Sequence, residues 1–148
     1  MKPHLILMGL FYFMVKYSSY GKHEKLKGHK LINQLFAKGR SFAILPFKVF
    51  YTQPNEKLDS RVKAGMGVSK KYFRRAVHRN RVKRLMREVY RTEKKPLYDF
   101  AEQQDKQLVL FILYIDKTLP DLNQLKNKMP FVIARLIKQL HETVTEDT

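Results

Sequence analysis

The chain has 148 residues, with 30 Lys and Arg against 13 Asp and Glu and a net charge of +17, which allows one domain with a true core but not two. A hydrophobic content of 44% excludes a disordered basic tail, while the charge calls for a polyanion, either nucleic acid or an anionic membrane surface. The absence of cysteine excludes disulfides, zinc ribbons and thiol chemistry, and fits a reducing compartment.

Leu5 to Val15, LILMGLFYFMV, is an apolar run of eleven residues, short of the roughly 20 that a membrane-spanning helix needs. It would suit a signal peptide or anchor, but no small-x-small cleavage site follows it. It would also suit a buried N-terminal strand, or an extension outside the domain with Met14 as the natural beginning. The expected division takes residues 1–21 as an extension, 22–141 as the domain and 142–148 as an acidic tail. Laid on anionic lipid together with the cations, the run would make a membrane-surface protein; we expect no membrane partner and a cytoplasmic location.

From Lys22 the pattern becomes globular. Leu26, Leu31, Ile32, Leu35 and Phe36 fall near helical phase, with Gly39 placed as a C-terminal cap. SFAILPFKVFYT follows, where Pro46 separates a short edge segment from a strand at Phe47 to Thr52. QPNEKLDS is turn chemistry. Val62 to Ser69 alternates as a strand, and its two glycines signal close approach of something to the backbone.

Lys70 to Arg91 then reads as a helix with ten Lys and Arg and one acid, Glu88. Val82, Leu85, Met86 and Val89 share a packing stripe. Opposite them Asn80, Arg84, Arg87 and Arg91 stack at i, i+4, i+7, i+11, flanked by Arg81 and Lys83. Like charges at this spacing repel, and Lys70, Lys71, Arg74 and Arg75 lie at the positive end of the dipole, where cations are disfavoured. A phosphate backbone reverses the sign of that repulsion and adds counterion release. Arg also suits bidentate phosphate contact better than a solubilising Lys. The helix reads as a nucleic-acid ligand.

Thr92 to Gln107 is a polar connection with room for a helical turn after Pro96. Leu108 to Ile115 lacks polar alternation, as a strand covered on both faces does. Asp121 is placed as an N-cap for a closing helix with Leu122, Leu125, Met129, Ile133, Leu136 and Leu140 on one stripe. Pro130 leaves that stripe in phase, so one kinked helix is expected, fraying after Gln139. The element order predicts a two-layer α+β domain.

GVSKKYFRRAVHRNRVKRLMREVYR resembles the signature of the bacterial ribonuclease P protein component: a strand ending in V-S-K-K, a spacer, then R-N-R-x-K-R-x-x-R-E. These are Val68, Ser69, Lys70 and Lys71, then Arg79, Asn80, Arg81, Lys83, Arg84, Arg87 and Glu88. LINQLFAKGRSF and FKVFY upstream match in order and spacing, so the resemblance spans about Lys22 to Leu140. It implies a four-stranded sheet with packed helices, resembling the second domain of ribosomal protein S5. It also implies a left-handed β-α-β crossover, where general rules favour the right-handed one. The implied partners are the ribonuclease P RNA and precursor tRNA, and no stable protein partner is expected. The R-N-R helix would dock on the RNA. A cleft formed by Ile32 and Phe36 with Lys48 and Phe50 would hold the 5′ leader, although the family usually has an aromatic at the position of Ile32. Phe36 and Phe50 would serve equally as core, and judged without the resemblance they read as core.

No catalytic residue and no metal site are expected in the polypeptide. His4, His23, His29, His78 and His141 have no metal or catalytic spacing, and AGMGVSKK lacks that of a phosphate-binding loop. Cleavage would fall to the RNA, with Mg2+ held mainly by that RNA. The alternative is a ribosomal or other structural-RNA-binding protein.

Overall fold

The computed structural model describes residues 20–146, and the apolar run Leu5 to Val15 lies outside them. A 3-10 turn at Lys22–Glu24 leads to α1 (His29–Lys38), β1 (Arg40–Ile44), β2 (Phe47–Thr52) and β3 (Val62–Val68). The chain continues through α2 (Ala76–Glu93), α3 (Lys95–Gln103), β4 (Leu108–Tyr114) and α4 (Leu122–Glu146). The four strands form one mixed sheet in the order β1-β2-β4-β3. Its pairs are antiparallel except β3 with β4, which run parallel. A parallel pair needs a long crossover, and α2 with α3 supplies it.

Period-two patterning divides the sheet into two faces. Phe47, Val49 and Tyr51 of β2 and Leu108, Leu110, Ile112 and Tyr114 of β4 point into the main core, which α2, α3 and α4 close with Val82, Met86, Leu97, Met129, Ile133 and Leu136. On the other face Val109 is buried with Leu26 and Leu35, and Leu31, Ile32, Phe50 and Phe111 pack around them. Strand β4 is therefore covered on both faces, as its unbroken apolar run requires.

Several boundaries differ from the sequence reading. The basic helix begins at Ala76, so Lys70, Lys71, Arg74 and Arg75 belong to the loop before it. Arg75 is the N-cap, with no side-chain hydrogen bond, so nothing in the composition marked the start. The connection after Thr92 contains a full helix, α3, whose Leu97 and Ala101 are buried. Gly39 follows α1 with φ −74°, outside the left-handed region. A Cβ there would sit 2.2 Å from the Leu35 carbonyl oxygen, so close approach is what requires glycine. Helix α4 runs on past Gln139 to Glu146 and keeps Leu140 buried. At its other end Asp121 Oδ1 accepts the Gln124 N–H at 2.8 Å and Gln124 Oε1 accepts the Asp121 N–H at 3.3 Å, a reciprocal capping box.

Among the described residues, packing begins at Tyr20. Its ring meets Tyr90 edge-on at 5.5 Å, and its hydroxyl donates to the Ala64 carbonyl. Beyond it, Glu24 Oε1 accepts from the Tyr98 hydroxyl and the Lys94 ammonium. Lys94 is 1% exposed and occupies the junction of α2 and α3, so a buried polar knot ties the N-terminal segment to that junction. Burial lowers the Lys94 pKa, and the Glu24 carboxylate opposes the shift.

Candidate nucleic-acid interface

Helix α2 buries Val82, Met86, Val89 and Tyr90, with Leu85 half-buried beside them. That stripe fixes the rotation of the helix and turns Asn80, Arg81, Arg84 and Arg87 outward, all exposed. Lys83 is half-buried. Glu88 is paired: its carboxylate accepts from Arg91 Nη2 at 2.6 Å and Nε at 3.2 Å. The pair lowers the Glu88 pKa and raises that of Arg91. Arg91 is thus half-buried and engaged, less available than the rest of the ladder.

The loop between β3 and α2 adds exposed Lys70, Lys71, Arg74 and Arg75. Its anchor is Phe73, buried with its ring centroid 6.1 Å from that of Tyr114. Arg79, three residues before Val82 and seven before Met86, falls beside the packing stripe rather than on the outward ladder. It is half-buried, and its Nη1 donates to the carbonyls of Phe73 at 2.9 Å and Arg74 at 2.6 Å.

The second group of sequence-selected residues lies on the opposite face of the sheet. Register places Ser41, Phe50, Phe111 and Gly65 in one cross-strand row, and Ala43, Lys48, Leu113 and Gly67 in the next. Helix α1 crosses this face and brings Phe36 to 5.0 Å from Phe50 and 5.6 Å from Phe111, centroid to centroid and tilted edge-on. Phe36 is 50% exposed, while Ile32, Lys48 and Phe50 are half-buried. Lys48 Nζ stands 5.2 Å from the Phe50 ring centroid, within cation–π range. The four residues thus share one side of the sheet, three of them around a ring cluster that is neither fully core nor fully exposed.

The sequence reading missed Phe111. Its ring lies across β3, where a Cβ on Gly65 would come within 2.8 Å of it and one on Gly67 within 2.4 Å. The two glycines are therefore the floor on which the ring rests. They were a usable signal for a bulky neighbour, but the identity of that neighbour depends on the pairing of β3 with β4.

The chemistry of the two surfaces differs. The α2 face and its loop offer cations to phosphate, whereas the ring cluster offers aromatic faces and one ammonium, which suit unpaired bases and their backbone without readout of sequence. Among the described residues no group of three or more His, Asp or Glu converges as a metal site would. None of the described helices is long and apolar enough to cross a membrane.

The chain is similar to known proteins along most of its length. The chain is 34% identical over 115 residues to the ribonuclease P protein component of Porphyromonas gingivalis, covering 78% of this chain and 84% of that one. With that of Chlorobium phaeobacteroides it shares 35% over 133 residues, 83% of this chain and 88% of the other. The fold matches the RNase P protein of Staphylococcus aureus with a TM-score of 0.61 at 22% identity, over 78% of this chain and 96% of that one. The match to the Thermotoga maritima protein has a TM-score of 0.58 at 20% identity, over 76% and 96%. The ribonuclease P family model matches residues 20–136, which include both surfaces, and the chain belongs to that family.

Proposed function

We propose that the chain is the protein subunit of ribonuclease P, which binds the catalytic RNA through α2 and its preceding loop and holds the 5′ leader of precursor tRNA in the cleft under α1. The observation that supports this most is the placement of two unlike surfaces on opposite faces of one sheet. A one-signed cation face can hold a folded RNA while an aromatic cleft holds a flexible strand. The RNA carries out the endonucleolytic step with Mg2+ that it mainly holds itself. The polypeptide lowers phosphate repulsion and fixes the leader; no side chain of it acts as acid, base or nucleophile. This work belongs in the cytoplasm and needs no further protein.

The test is cleavage of precursor tRNA by the cognate ribonuclease P RNA at low Mg2+, with and without the protein. Stimulation is expected, and the double variant Arg81→Glu, Arg84→Glu should lose most of it while its circular dichroism stays native. RNA binding without any change in cleavage would instead indicate a structural-RNA-binding protein.

A further inference from the structure

Arg79 opens the R-N-R sequence, yet its guanidinium turns back onto the chain, with Nη1 on the carbonyls of Phe73 and Arg74. Arg81 and Arg84, two and five residues on, are exposed. The loop that Arg79 grips has its own internal bonds: Ser69 Oγ accepts the Lys71 N–H at 3.2 Å, and the Ser69 carbonyl accepts the Phe73 N–H at 3.3 Å. Within six residues it carries Lys70, Lys71, Arg74 and Arg75, all exposed. None of the four forms an ion pair with a described residue. Their mutual repulsion favours an opened loop, and the start of α2 adds the positive end of a helix dipole. A cation at that place is unfavourable unless carbonyl oxygens receive it. The two carbonyls do so, both accepting from Nη1, a nitrogen one bond farther from the backbone than a lysine ammonium would stand.

We propose that Arg79 is a positioning residue and not a phosphate ligand. It clamps the loop from Ser69 to Arg75 so that Lys70, Lys71, Arg74 and Arg75 meet RNA as one preformed cation cluster. This rests on the reading of α2 and its loop as the RNA-binding surface. A preformed cluster avoids the ordering cost at the moment of binding, so the clamp acts through four side chains at once.

The experiment measures binding of the cognate ribonuclease P RNA across a salt series for wild type, Arg79→Gln, Arg79→Lys, Arg75→Gln, Arg84→Gln and the doubles of Arg79→Gln with each of the last two. Loss of one phosphate contact should reduce the slope of log affinity against log salt by about 0.7–0.9, and this is expected for Arg84→Gln. Arg79→Gln should reduce it by about two or more, because several loop contacts go together. Arg79→Lys keeps the charge but should not restore the slope. The double with Arg75→Gln should be less than additive, and the double with Arg84→Gln additive. In the free protein, amide exchange at Phe73 should quicken in both Arg79 variants. Arg79→Lys binding like wild type, with Arg79→Gln losing a single contact additively in both doubles, would make Arg79 a direct ligand and overturn the proposal. If Arg79→Gln does not fold, Arg79→Lys, which keeps stem and charge, decides through its slope and the Phe73 exchange rate. Should wild type fail to bind, or Arg84→Gln bind unchanged, it is the RNA-binding reading that falls.

Discussion

Phe36, Phe50 and Phe111 form a ring cluster whose members are held from different directions: one by a helix, two by neighbouring strands in register. A ring fixed on strands by cross-strand packing loses little freedom when a base stacks on it, whereas Phe36, half exposed on α1, closes the cluster from above. Stacking of a base on an aromatic contributes about 1–3 kcal/mol. Phe36→Ala and Phe50→Ala should therefore weaken binding of precursor tRNA by roughly fivefold to a hundredfold, and leave mature tRNA, which has no leader, nearly unaffected. Equal weakening of both substrates would return these rings to the core. Their periodicity alone left both readings open, since a half-buried ring satisfies helix or strand phase as well as a buried one. Only the register with Phe111 and the glycines of β3 shows which side of the sheet they share.

At the scale of elements, what the sequence revealed depended on how regular each apolar stripe is. Helix α4 carries Leu125, Met129, Ile133, Leu136 and Leu140 at helical spacing, and all are buried, so its period was plain despite Pro130. Helix α3 buries Leu97 and Ala101, with Tyr98 and Phe100 packed half-buried against the same core, but its nine residues make too few turns for a period to emerge. Its importance is nonetheless structural: Leu97 is wholly buried in the main core, and Tyr98 beside it reaches the carboxylate of Glu24. Leu97→Ala should cost about 2–5 kcal/mol of stability, read as a lower denaturation midpoint. The fraction that remains folded should bind RNA with unchanged affinity, because α3 contributes no residue to either surface. A loss of affinity in fully folded protein would place α3 within the RNA interface.

Across the whole molecule, the α+β class and the four strands were legible, because each strand announces itself locally. The order β1-β2-β4-β3 was not, since it arises from pairings between segments distant in the chain. The knot around Tyr20, Glu24, Lys94 and Tyr98 is such a distant pairing, and it gives the domain an alkaline limit. Burial raises the Tyr20 pKa from 10.0 to about 12, so its contribution is complete below pH 10 and is lost as pH climbs towards 12. Tyr20→Phe should lower stability at neutral pH by about 1 kcal/mol through the lost hydrogen bond to Ala64. It should also flatten the decline between pH 10 and 12, and a melting series across that range checks both. The net charge of +17 overstates what RNA meets. Seven cations around α2 are exposed and without a described acid: Lys70, Lys71, Arg74, Arg75, Arg81, Arg84 and Arg87. Arg79 grips backbone carbonyls and Arg91 is held by Glu88, so neither is expected to release a counterion. With about 0.7–0.9 per phosphate contact, RNA affinity should fall with log salt at a slope of about −5 to −6, and by about a thousandfold or more between 50 and 200 mM salt. A slope of about −9 would require every Lys and Arg from Lys70 to Arg91 to contact phosphate, which the pairing of Arg79 and Arg91 opposes.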